Sequence, residues 1–273
     1  MTNRHESFVD LHKSGCFVMP NPWDIGSARM MAALGAKALA TTSAGHAFTL
    51  GKADMGNVSR DQALQHASDI VAATPLPVNG DLENGYGDAP EMVAETIQLA
   101  VEAGLSGCSI EDTRMDGQET AYPFDEAVAR VAAAADKAKG LGRPFVFTAR
   151  ADGVMLGLYD MDEAIRRVQA FEKAGADAVY VPIPPSMEEM ARLCRSVSCP
   201  VNGLAAGPFV NHTRAEFAAS GVRRISLGSA IARATHRLIS DAVTAMVEEG
   251  DFSLLARSMN SDVVDQMLKN TEN

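Results

Sequence analysis

Three segments carry most of the chemistry available to this chain: Asn79-Gly80-Asp81-Leu82-Glu83-Asn84-Gly85-Tyr86-Gly87, Ile110-Glu111-Asp112 and Thr148-Ala149-Arg150-Ala151-Asp152. Each places charged residues directly after a short apolar run. Asp81 and Glu83 are two apart and would point to the same side of an extended strand. Two carboxylates on one face of a water-poor site are strongly unfavourable without a cation. With Glu111 beside them they make an oxygen donor set suited to Mg²⁺ (or Mn²⁺), a hard ion that keeps several waters and takes few protein ligands. Arg150 suits a bidentate pair with a substrate carboxylate, or could hold Glu111 in place. A salt-bridge ring around Arg150, or simple helix caps, is the plainer reading. Acids and an arginine that end three successive strands favour a site over either.

A second stretch, Thr41-Thr42-Ser43-Ala44-Gly45-His46, offers small residues, a hydroxyl and accessible backbone N–H groups. Such a turn can hold a carboxylate or a developing oxyanion, and a plain tight turn explains it equally well. His46 reads as a polar loop residue, and Tyr122 and His46 are the candidate proton donors. Trp23, in Pro20-Asn21-Pro22-Trp23-Asp24, reads either as a wall of the pocket or as a packed rim residue.

The elements that must position these residues follow from two alternating kinds of punctuation. Gly35, Gly104, Gly175 and Gly221 each precede a strand-sized apolar run, as a glycine that closes a helix would. Pro77, Pro144 and Pro200 each lead a strand, where no ladder N–H is needed. Helix-patterned stretches lie between, at Ala89 to Glu102, Phe124 to Lys139, Asp160 to Ala174, Met187 to Val197 and Ser229 to Glu249. Strands and helices that alternate without hairpin signals imply parallel strands joined by crossovers. With Phe17-Val18-Met19 at the front there are about eight strands, and 273 residues suffice for one closed barrel. The expected fold is α/β, a (β/α)₈ barrel in a single domain over 1–273. A doubly wound open sheet is the runner-up, but it has no reason to stop at eight. Asp251 to Leu268 keeps helical patterning with more apolar residues than a lone terminal helix leaves in water. Residues 251–273 are therefore expected to pack on another subunit or on their own barrel.

Composition excludes several classes of function. The formal net charge of −11 repels a phosphate backbone, and no Lys/Arg stripe overcomes it locally, so nucleic acid is not an expected partner. The opening fifteen residues lack the apolar run of a secretory signal, and no stretch is long and apolar enough to span a bilayer; a cytoplasmic location is expected, away from membranes. Cys16, Cys108, Cys194 and Cys199 sit among apolar neighbours without metal-binding spacing and read as inert core thiols, the first two within strands.

Taken in order, Pro20-Asn21-Pro22-Trp23-Asp24, Thr42-Ser43-Ala44-Gly45 with Leu50-Gly51 and Asp54, Asp81 to Gly87, Ile110-Glu111-Asp112 and Ala149 to Asp152 resemble the isocitrate lyase and phosphoenolpyruvate mutase superfamily. The resemblance implies that Asp81, Glu83 and Glu111 position Mg²⁺, partly through water. It also implies that Ser43, Ala44 and Gly45 cradle the substrate's carboxylate and 2-oxo oxygen, and that Asp54 stands near the metal. Arg150 and Asn202 then match the family's substrate-binding arginine and the asparagine that ends its seventh strand. A homotetramer, built as a dimer of dimers with the last barrel helix exchanged between subunits, is likewise implied. One departure stands out: Thr113 to Pro123 lacks the Lys-Lys/Arg-Cys-Gly-His loop of the superfamily's lyases, and also the lysine and asparagine of its mutases and phosphonopyruvate hydrolases.

The expected activity is a Mg²⁺-dependent carbon–carbon lyase acting on a small 2-oxo or 2-hydroxy carboxylate through a metal-stabilised enolate. Oxaloacetate decarboxylation is its simplest form, because carbon dioxide leaves without needing a thiol acid. The alternatives are C–P chemistry on a phosphonopyruvate-like substrate and a non-catalytic protein that binds 2-oxo acids.

Overall fold

In a computed structural model the chain is described over residues 3–115, 117 and 120–269. Eight strands run β1 (Phe17–Met19), β2 (Leu39–Ala40), β3 (Val78–Asp81), β4 (Gly107–Glu111), β5 (Val146–Arg150), β6 (Ala178–Tyr180), β7 (Val201–Leu204) and β8 (Arg224–Ser226). All paired neighbours are parallel, in the order β1-β8-β7-β6-β5-β4-β3-β2. Between β1 and β2 there is no ladder, but the seam is bridged where Ala40 N–H donates to Pro20 O (3.1 Å) and Asn21 Nδ2 donates to Thr41 O (2.9 Å). The result is a nearly closed (β/α)₈ barrel.

The helices are α1 (Arg4–Lys13), α2 (Ile25–Ala33), α3 (Ser43–Thr49), α4 (Arg60–Ala73), α5 (Pro90–Glu102), α6 (Phe124–Lys139), α7 (Met161–Lys173), α8 (Met187–Ser196), α9 (Arg214–Ala219), α10 (Ala230–Glu248) and α11 (Ser261–Lys269). The expected punctuation holds. Gly104 (φ 86°) and Gly175 (φ 106°) leave their helices in the left-handed region, where a Cβ is strained. Pro77 and Pro200 still contribute carbonyls to the sheet, accepting from Leu39 and Val179 N–H. Cys108 lies in β4, whereas Cys16 ends just before β1.

Two differences concern the ends of the barrel. The opening segment forms α1, which plugs one end: Phe8 is fully buried against Phe17 and clusters with Met19, Ala38, Ala40 and Val146. Gly107 permits this approach, since a Cβ there would lie 2.4 Å from Val146 O and 2.9 Å from Phe8. At the other terminus the helical pattern after Asp251 is broken into a 3₁₀ turn, Ser253–Arg257, and α11, which lies against α2. No helix among the described residues is long and apolar enough to cross a membrane.

Candidate active site

The site lies where the strands end. β3 runs to Asp81, but Glu83 adopts φ 47°, so the strand does not extend far enough to put both carboxylates on one strand face. The expected geometry of that pair is thereby corrected. Glu83 is anchored by its own carbonyl, which accepts from Glu111 N–H (2.8 Å), and its Oε1 accepts from Gly56 N–H (3.3 Å). Its Oε2 is buried without a hydrogen-bond partner. Among the described residues, four other than glycine have positive φ, and three of them (Met55, Glu83 and Ile183) line one cavity of about 350 Å³. Such strain persists only where the surrounding fold enforces it, and it gathers at functional sites.

Asp81 is held from two directions. Its Oδ2 accepts from Ser43 N–H and Oγ–H, both at 3.0 Å, and its Oδ1 accepts from Arg150 Nη1 (2.9 Å). The same Nη1 meets Glu111 Oε1 at 2.9 Å. Arg150 thus holds Glu111 as expected, but its bidentate partner in the structure is Asp152, at 3.1 Å through Nε and 2.7 Å through Nη2. Asp152 is fixed in turn by Asp112, which accepts its N–H and is itself held by Tyr159 Oη–H and Arg167. The guanidinium of Arg150 lies over the Tyr180 ring.

Thr41-Thr42-Ser43 leads into α3 instead of a tight turn, with Thr42 as its cap. Ser43 N–H is engaged by Asp81 and Gly45 N–H donates to Thr42 Oγ1 (3.2 Å). Ser43 and Ala44 line the cavity; Gly45 lies behind it, where a Cβ would come within 2.5 Å of Thr42. Asp54 and Asn202 also line it. Asn202 is fully buried, giving Nδ2 to Ser226 Oγ and taking Arg224 Nε at Oδ1. Trp23 is not part of this lining; with His46, which stacks on His66 at 3.9 Å, it borders a separate groove. Tyr122 is fully buried between Arg114 and Arg130, donating to Asp88 and accepting from Asn84, away from the cavity. Neither candidate proton donor lines this cavity, although His46 shares a small adjoining void with Ser43, Asp81 and Glu83. No cysteine lines the cavity, and burial raises all four thiols. In Thr113 to Pro123, residues Asp116, Gln118 and Glu119 fall outside the described set, as do 270–273 of the C-terminal extension.

The electrostatics follow from crowding. Asp54, Asp81, Glu83, Glu111 and Asp152 share the cavity with Arg150, Arg224 and Arg233. Burial pushes Glu83 up to about 7 and Asp152 up to about 6, and it also raises Asp54 and Glu111. Burial works against the charge on Arg150 too, but Asp152, Glu111 and Asp81 outweigh it and keep the guanidinium protonated. Full ionisation of the acids therefore calls for another cation. Among the described residues no three His, Cys, Asp or Glu side chains are grouped to enclose an ion directly. The all-oxygen set and the orphaned Glu83 Oε2 nevertheless fit a hard divalent ion that keeps most of its water shell.

Sequence reasoning missed two of the lining arginines. Arg224 is wholly buried at the floor, beside His12 of α1, and burial lowers its pKa to about 10. The signal was present, since an arginine inside the apolar run Ile225-Ser226-Leu227 and its approach needs a polar interior. Arg233 stands one turn into α10.

Residues 8–247 match the model of the phosphoenolpyruvate phosphomutase family. A crystal structure of a candidate lyase/mutase from Burkholderia cenocepacia superposes with a TM-score of 0.92 at 44% identity, covering 96% of this chain and 94% of that one. An uncharacterized protein of Mycobacterium tuberculosis is 35% identical over 82% of each chain. An oxaloacetate decarboxylase of Paraburkholderia xenovorans is 32% identical over 73% of this chain and 68% of its own.

Proposed function

Because the chain belongs to the phosphoenolpyruvate phosphomutase family, a group of lyases and mutases, we propose that it is a Mg²⁺-dependent lyase that breaks a carbon–carbon bond in a small 2-oxo or 2-hydroxy carboxylate. The observation that carries this reading is the set of five buried or half-buried carboxylates, short of positive charge, that share a cavity at the strand ends with Arg150, three of them (Asp81, Glu111 and Asp152) paired with it. Asp81, Glu83 and Glu111 would hold the ion, largely through its waters. When bound, Mg²⁺ supplies a Lewis acid that accepts electron density as the bond breaks.

The remaining work belongs to the chain. Ser43 fixes Asp81, and Asp152 fixes Arg150, so that the guanidinium faces the substrate's carboxylate end already oriented and without reorganising. With Asp152 taking two of its donors, Arg150 acts chiefly as a preset charge. Oxaloacetate suits a site without a cysteine, because carbon dioxide departs without a proton. Asp54, held toward its protonated form by burial, is placed at the cavity to return a proton to the new carbon.

Purified protein with Mg²⁺ should release pyruvate from oxaloacetate well above the rate with Mg²⁺ alone. Chelation or Asp81→Ala should remove that excess. Absence of turnover on oxaloacetate and on 2-hydroxy diacids would sink the proposal.

A further inference from the structure

Directly after Glu83 the chain turns through Asn84 to Asp88, and four carbonyls of this turn are taken by side chains of the helices behind it. Arg130 of α6 gives Nη1 to Gly87 O (2.6 Å) and to Asp88 O, and Nη2 to Asn84 O. Thr96 of α5 gives its hydroxyl to Gly85 O (2.7 Å). Arg130 is buried, yet among the described residues it forms no ion pair; the neighbouring acids Asp88 and Glu126 pair with Arg114 instead. Its guanidinium lies 3.9 Å from the centre of the Tyr122 ring, whose hydroxyl is itself held by Asn84 Nδ2 and Asp88. Taking a guanidinium out of water without a carboxylate partner is costly. Here that charge is spent on bracing backbone.

The braced turn is also where the backbone is least relaxed. Glu83 (φ 47°) and Tyr86 (φ 61°) both stand in the left-handed region, which residues other than glycine rarely adopt. Such a backbone persists only while its surroundings enforce it. Relaxation at Glu83 would draw its carboxylate from the cavity and break the bond from Glu111 N–H to Glu83 O (2.8 Å), which ties the ends of β3 and β4. We infer that Arg130 is a positioning residue for the metal site: by holding the turn from behind it fixes Glu83, and through Glu83 it fixes Glu111. The inference rests on the reading of Asp81, Glu83 and Glu111 as the groups that hold the ion, and deepens it. Arg130 does not line the cavity, so it acts on the ion only through the backbone it braces. Its loss changes how tightly the ion is held and leaves the chemistry of the loaded site nearly as it was.

The test is calorimetric titration of Mg²⁺ and of Mn²⁺ into chelator-stripped wild type, Arg130→Met, Arg130→Lys and Tyr122→Phe. Phe8→Ala, in the plug at the opposite end of the barrel, controls for lost stability alone and should bind both ions as the wild type does. Arg130→Met should weaken both by about tenfold or more, the usual effect of removing a group that orients a metal ligand. Arg130→Lys keeps the charge but not the fork and should recover part of the loss; Tyr122→Phe should show a smaller loss. With oxaloacetate, the Mg²⁺ concentration at half-maximal rate should rise in step, while kcat at saturating Mg²⁺ stays within about threefold. If Arg130→Met does not fold, the lysine and Tyr122 variants carry the comparison. Hydrogen exchange in the metal-free protein gives a readout without the ion: in Arg130→Lys the Glu111 amide should lose protection relative to the amides of β6. Arg130 variants that lose stability as Phe8→Ala does, with ion affinity and Glu111 exchange unchanged, overturn the assignment and leave the lyase reading standing. A wild type that takes up neither ion overturns the metal reading, and the exchange measurement then decides alone whether Arg130 holds Glu83.

Discussion

At the scale of single residues, Glu83 concentrates the tension in the site: a left-handed backbone, one carboxylate oxygen with a backbone donor and the other with none. Burial lifts its pKa from 4.5 to about 7. Because the folded value lies above the unfolded one, this group's contribution to stability is complete below about pH 4.5 and declines as pH rises through about 7. A glutamine keeps the shape without the charge. In chelated buffer, Glu83→Gln should match the wild type near pH 5 and exceed it near pH 8, by up to about 3 kcal/mol from a shift of roughly two and a half units. Added Mg²⁺ should reverse that order, since only the wild type retains the carboxylate that helps to hold the ion. Urea unfolding at the two pH values, with and without Mg²⁺, measures both effects. A difference that does not change with pH would refute the account. That Asp81 and Glu83 both reach the cavity was readable from their place after an apolar run. How they do so was not, because a strand that stops at Asp81 and a positive φ at a glutamate leave no mark in an alternating pattern.

At the scale of elements, periodicity and punctuation were strong wherever helix and strand alternate, and α6 begins and ends at the residues its pattern suggests. The weak places are those where tertiary contact decides. α1 has a shallow apolar pattern, yet it plugs the barrel because Phe8 reaches Phe17 and His12 reaches Arg224. The second contact spans 212 positions, and the first brings α1 onto β1, whose place at the barrel end depends on its pairing with β8. Likewise α3 replaces an expected turn once Thr42 caps Gly45 N–H. The plug yields a prediction at this scale. Phe8→Ala should cost about 3–5 kcal/mol, the usual range for truncating a buried aromatic, seen as a lower denaturation midpoint. Because α1 closes the end opposite the carboxylate cluster, activity per folded molecule should stay close to that of the wild type. A variant of normal stability, or one stable but inactive, would show that α1 does not act as a plug.

At the scale of the whole molecule, the ring of helices around the barrel is incomplete. β1 buries Phe17 and Met19 but leaves Val18, on its outer face, 37% exposed. α10, the helix that follows the last strand, packs extensively on no other element among the described residues, although its Ala232 and Ala242 are buried and His236 meets the Phe48 ring. Along it, Ile239 (58% exposed), Val243 (50%) and Val247 (78%) form a stripe four residues apart, and the neighbouring Leu238 is exposed as well. An apolar stripe left in water and an uncovered barrel strand are complementary defects, and exchange of α10 between two copies would repair both. We propose, in line with what the family resemblance implies, that the species in solution is an oligomer in which each barrel receives a neighbour's helix. Ile239→Asp together with Val243→Asp should lower the mass measured by light scattering toward that of one chain, 28.9 kDa. The same change should lower thermal stability, because the outer face of β1 loses its cover. Wild-type protein that runs as a monomer at micromolar concentration would refute the exchange.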